Sequence, residues 1–126
     1  MKQQPLNSYQ ELIVWQRAMD LVPSVYRLTR TLPKEELYGL SSQIRRCAVG
    51  IPSNIAEGRS RGTRRDFVHF LRFAFSSGAE LETQIELIKR LYPQSALHVE
   101  TIDMLLQEIM RMLNSMIAKL EQTPQS

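Results

Sequence analysis

The chain has 126 residues, 43% of them hydrophobic, with one cysteine and a formal net charge of +3. That length suits one domain built on one helical core. No apolar stretch approaches the roughly 18 residues a spanning helix requires, and Met1-Lys2-Gln3-Gln4-Pro5 lacks the apolar run of a signal peptide, so a cytoplasmic protein with no membrane partner is expected.

Taken in chain order, the residues predict an all-α, antiparallel up-and-down four-helix bundle, a single domain over 1–126 with helices at about 8–31, 35–57, 63–91 and 95–121. Ser8 with Glu11 three residues on has the form of a capping box, opening a first helix whose stripe is Leu12, Trp15, Met19, Val22, Tyr26 and Thr29, with Ala18 and Val25 beside it. Pro23 lacks the amide that would bond four residues back, so a kink is expected near it, and Pro33 marks the way out.

Leu37, Leu40, Ile44, Cys47, Ile51 and Ile55 recur at helical spacing through Gly50 and Pro52 and predict a second helix kinked at the proline. An interior proline costs roughly 3 kcal/mol, and several flanking buried aliphatic side chains at roughly 1.5–3 kcal/mol each outweigh it. Cys47, on that stripe and without a disulfide partner in the chain, reads as a small buried hydrophobe. Gly58 is expected to supply a left-handed cap, and Arg61-Gly62-Thr63 the turn.

Thr63 caps the third helix, with Asp66 three residues on, and Phe67, Leu71, Ala74, Gly78, Leu81, Ile85 and Ile88 form a packing seam that ends at Tyr92-Pro93. A fourth helix starts at Ser95 with Ile102, Leu105, Ile109, Leu113, Met116 and Leu120 facing inward. Met104, Leu106, Met110, Met112 and Ile117 broaden this face, which suits a homo-oligomer. Gln122-Thr123-Pro124-Gln125-Ser126 is expected to fray.

Metal and catalytic readings find little support. Glu57, His69 and Glu80 are the residue types of a di-metal bundle site, but neither His69 nor His98 has a glutamate three residues before it, so no metal or cofactor is expected. No serine or cysteine stands at a recognisable spacing from a histidine and an acid. Gly58-Arg59-Ser60-Arg61-Gly62 also lacks the lysine and hydroxyl of a phosphate-binding loop, and a non-enzymatic protein is expected. His69, beside Phe70 and near Arg65 and Arg72, reads as a partly exposed surface residue.

Charge is concentrated between positions 45 and 72, where seven arginines face only Glu57 and Asp66. Arg59, Arg61, Arg64, Arg65 and Arg72 are candidates for binding RNA or DNA phosphates, arginine's fork being suited to that task, or else for a solvated or intersubunit salt-bridging surface and a protein partner. No aromatic residue interleaves the arginines before Phe67, so base stacking has little support at this level. Asn54 and Glu57, next to Ile51 and Ile55, read as members of a buried polar network with Arg45, Arg46 or Arg61 and with Glu80, since buried polar groups persist when paired.

One run is specific: Ile51-Pro52-Ser53-Asn54-Ile55-Ala56-Glu57-Gly58, preceded by Leu12, Trp15, Ala18, Leu21, Pro33, Glu36, Leu40, Gln43, Arg45, Arg46 and Ala48, and followed by Phe67, Leu71, Ala74 and Glu80-Leu81-Glu82-Thr83. Over residues 9–92 the chain resembles the small bacterial four-helix bundle proteins encoded in intervening sequences of the 23S ribosomal RNA gene, also labelled S23 ribosomal protein-like. It departs from them at Ser76-Ser77-Gly78, and its fourth helix matches by hydrophobic pattern alone. The resemblance implies a bundle that assembles into a ring, often a pentamer, without enzymatic activity. Related accessory proteins of diversity-generating retroelements bind nucleic acid and a reverse transcriptase through a basic surface, a role that would fall here to Arg59, Arg61, Arg64, Arg65 and Arg72.

Overall fold

A computed structural model of the chain describes residues 8–122; the N-terminal residues 1–5 and the fraying expected at 123–126 lie outside them. Ser8 caps a 3-10 turn, Tyr9–Glu11, its hydroxyl accepting the Gln10 amide at 3.1 Å. Leu12 is extended, and α1 (Ile13–Thr29) starts only after it, so the expected capping box is replaced by a separate turn. That turn is pinned to α1 by the edge-on contact of Tyr9 with Trp15 and by the Gln16 side chain donating to the Gln10 carbonyl.

The buried line of α1 is Val14, Ala18, Leu21, Val25, Leu28 and Thr29. The expected stripe is thus an edge: Leu12, Trp15 and Val22 pack partly buried beside the core, and Met19 is 45% exposed. Two later helices pack on α1, so its apolar face is wide enough to hold two adjacent rows, and spacing alone does not say which is central. Pro23 lies inside α1 on its exposed side.

A second 3-10 turn, Lys34–Glu36, precedes α2 (Leu40–Ser60), which begins later than expected because Gly39 is not helical. The Glu36 carboxylate accepts the Leu40 amide at 3.2 Å and the Tyr92 hydroxyl, so a side chain outside the helix satisfies one of its free donors and ties the turn to Tyr92. Leu37 is exposed and takes no part in the seam, which runs through Ile44, Cys47, Ile51 and Ile55 as expected. α2 continues through Gly50 and Pro52 to Ser60.

Gly58 is not a left-handed cap. It is a buried helical residue, and Gly62 at φ 89° is the one positive-φ position among the described residues, turning the chain into α3 (Arg64–Leu91). Thr63 caps α3 through the Asp66 amide, and all seven expected seam residues are buried, joined by Gln84. A last 3-10 turn, Ser95–His98, precedes α4 (Glu100–Gln122), whose buried line is Ile102, Leu106, Ile109, Leu113 and Ile117. Leu105, Met110, Met112, Met116 and Leu120 flank it, and Met104 is exposed.

All regular structure among the described residues is helical, and the four helices form a bundle in which α1 and α3 each pack on α2 and α4. Gly58 lies against Phe67 and Phe70 while Gly50 lies against Ser77, so positions that fall along α2 rise along α3. Gly78 facing Met110 and Lys89 bonding Asp103 show the same opposition between α3 and α4. Leu21, Leu28, Ile44, Ile51, Ile55, Leu71, Leu81, Ile88, Ile102 and Ile109 are completely buried in one continuous core. Among the described residues no helix is long and apolar enough to cross a membrane.

Candidate nucleic-acid interface

The α2–α3 connection gathers the five candidate arginines at one end of the bundle. Arg59 leaves the last turn of α2, Arg61 follows it, Arg64 and Arg65 open α3, and Arg72 lies two turns on. An open depression of about 940 Å³ is lined by Arg64, Arg65, Asp66, Val68, His69 and Arg72.

Aromatic rings of α3 hold the α2-side cations in place. The Arg61 guanidinium lies 4.8 Å from the centre of the Phe70 ring and that of Arg59 lies 5.4 Å from Phe67, both within cation–π range. Arg61 also bonds Glu57 at 2.9 Å, one helical turn back, and Arg72 pairs with Glu121 of α4. All four side chains of these two pairs are about half exposed, so each pair contributes at most about 1 kcal/mol and exchanges readily for a stronger anion.

Arg65 is exposed and has no acidic partner among the described residues. It stands in the first turn of α3, where the helix dipole is positive and a cation is disfavoured by about 0.3–1 kcal/mol. Folding therefore gains nothing from a charge at this position. A bound anion would reverse the sign of that interaction.

Of the residues expected to share one polar network, Glu57 and Arg61 pair, and the others are divided among three further places. Arg45 reaches α1, its Nε donating to the Thr29 hydroxyl at 2.8 Å and its guanidinium lying 4.7 Å from the Tyr26 ring centre. Asn54 donates to the Gly50 carbonyl of its own helix at 2.8 Å, and Glu57 turns to Arg61 at the surface. Arg46 and Glu80 line a second depression, of about 450 Å³, with Gln43, Cys47, Gly50 and Ser77. Arg45 and Asn54 are nine residues apart, about two and a half turns, and so project from opposite sides of α2.

Cys47 is buried, as its place on the stripe implied. Burial pushes its thiol up, a hydrogen bond from Gln84 works against that, and the Glu80 carboxylate adds to the rise. Glu86 and Arg90, four residues apart, pair on the outer face of α3. Among the described residues no group of three His, Cys, Asp or Glu side chains is placed to hold a metal ion.

Sequence reasoning missed the ring cluster. His69, Phe70 and Phe73 meet edge to face, with centres 5.4 Å apart for His69–Phe70, 4.6 Å for His69–Phe73 and 5.7 Å for Phe70–Phe73. The arginine run before Phe67 carries no aromatic residue. The signal lies beyond it, in Arg65, His69, Arg72 and Phe73, which helical spacing places on one face.

No curated protein matches the chain. Residues 10–115 match the family model described as 23S rRNA-intervening sequence protein, a span that takes in all of α1, α2 and α3 and most of α4. The four-helix architecture, the Ile51–Gly58 run in the C-terminal half of α2 and this match agree, and the chain belongs to the 23S rRNA-intervening sequence protein family.

Proposed function

We propose that this chain is a non-enzymatic, cytoplasmic accessory protein that assembles with copies of itself and binds RNA or DNA through Arg59, Arg61, Arg64, Arg65 and Arg72. The observation that carries the reading is Arg65: an exposed cation with no acidic partner among the described residues, at the positive end of a 28-residue helix, in a depression lined by further arginines. Such an arrangement opposes folding and favours phosphate. Self-association has its own support. Leu12, Ile13, Met112 and Met116 line a largely apolar groove between α1 and α4, and Ile13 is 50% exposed. A ring of five, implied by the family resemblance, would repeat the basic surface and raise avidity for a long polyanion.

The test is a titration with RNA and with DNA at two salt concentrations, on material whose mass has been fixed by light scattering. Binding should weaken steeply with salt, and replacing Arg61, Arg64 and Arg65 by Ala should flatten the salt slope by about 2–3, near one unit for each phosphate no longer neutralised. Absence of binding at low salt refutes the reading and assigns the arginines to a protein partner or to contacts between subunits.

A further inference from the structure

Phe73 is 47% exposed, on the same stripe of α3 as Arg65, His69 and Arg72. A phenyl ring in that position adds little to the core and leaves apolar area in water. It is nonetheless held in place: the His69 ring meets it at 4.6 Å and the Phe70 ring at 5.7 Å, and Phe70 is backed by the Arg61 guanidinium. A fixed, half-open aromatic surface bordered by cations is what an unpaired base requires, because every base has a face to stack while its flanking phosphates need positive charge. A duplex keeps its bases stacked on one another and offers this surface only phosphates.

Resting on the nucleic-acid reading above, we propose that this surface takes single-stranded nucleic acid, one unpaired base stacking on Phe73 beside His69 while neighbouring phosphates lie on Arg65 and Arg72. Arg72 exchanges its exposed pairing with Glu121 for a phosphate, at little cost. The contact is tolerant of base identity, since it reads a ring face and not a hydrogen-bonding edge.

The experiment is an anisotropy titration of the full-length protein with a 12-nucleotide single strand and with its duplex at two salt concentrations, for the native chain, F73A and F73W, each checked for thermal melting and for mass by light scattering. The native chain should prefer the single strand. F73A should weaken single-strand binding about tenfold while leaving duplex affinity and both salt slopes unchanged, because stacking and not charge is removed. F73W should restore binding and have its added fluorescence quenched by the strand. Equal binding of both forms, unaffected by F73A, overturns the stacking contact and leaves the basic surface standing. A change of assembled mass in F73A with nucleic-acid binding intact overturns it too, and makes Phe73 a contact between copies. Absence of all salt-sensitive binding in the native chain removes the underlying reading and this one with it.

Discussion

Two helical glycines separate a close approach of backbones from a close approach of a flexible side chain, and their replacement by alanine should give opposite outcomes. At Gly58 an added Cβ would stand 2.6 Å from the Phe70 Cβ and 3.3 Å from both the Phe67 ring and the Phe67 carbonyl oxygen. Ordinary carbon contacts are about 3.5–4.0 Å, so α2 and α3 must part by about 1 Å at this point, and neither a Cβ nor a main-chain carbonyl can swing aside. Overpacking of this kind costs about 2–3 kcal/mol, offset by about 1 kcal/mol from the better helix propensity of alanine. The net loss of about 1–2 kcal/mol corresponds to a fall in Tm of about 4–8 °C for a chain of this size. At Gly78 the added Cβ meets the Met110 side chain, half-buried and with several rotatable bonds. Met110 can turn away, the propensity gain offsets the repacking, and G78A should melt within about 2 °C of the native protein. Circular-dichroism melts at matched protein concentration decide the matter, the matching being needed because association shifts Tm. A G58A protein that melts like the native chain, or a G78A protein that is destabilised as much as G58A, refutes the packing argument.

Burial holds the Cys47 thiol above its ordinary value of 9.0, so the folded chain keeps a proton that the unfolded chain releases. The stability linked to it is complete below about pH 9 and is lost as pH rises from there through the folded-state value; melts from pH 8 to 10.5 should show that decline, and C47A should show a shallower one. R45A removes both the Thr29 hydrogen bond and the stacking on Tyr26 and should cost about 1–2 kcal/mol, with R45K recovering less than half, as read by thermal or urea melts. N54A should cost about 1 kcal/mol through the bond to the Gly50 carbonyl, whereas E57Q, at an exposed pair, should change stability by less than about 0.5 kcal/mol. Equal destabilisation by the last two would restore the single buried network that the observed partners argue against.

The arginine surface was legible because all five residues lie on two adjoining segments, so that no tertiary contact was needed to bring them near one another. The aromatic component was not, since its relation to Arg61 depends on Phe70 lying across the α2–α3 interface. The polar residues of α2 show the converse. Arg45 and Asn54 were assigned to one network by chemical type, but each took the partner that its angular position on the helix allowed, while Glu57 kept Arg61 and lies at the surface.

Periodicity and caps by themselves determined the number of helices, the buried line of α3 apart from Gln84 and the apolar path of α2 through Pro52, because helical spacing and cap chemistry are local properties. The family was legible too, carried by the Ile51–Gly58 run and confirmed over residues 10–115. Only the tertiary structure decided which of two apolar rows of α1 and α4 faces inward, since each packs on two neighbours and its wide face has more than one admissible centre. It also decided that Gly58 stays helical and leaves the turn to Gly62: the missing side chain at 58 is required by Phe67 and Phe70 on the facing helix, a constraint that residues nine and twelve positions away impose only once the helices have packed.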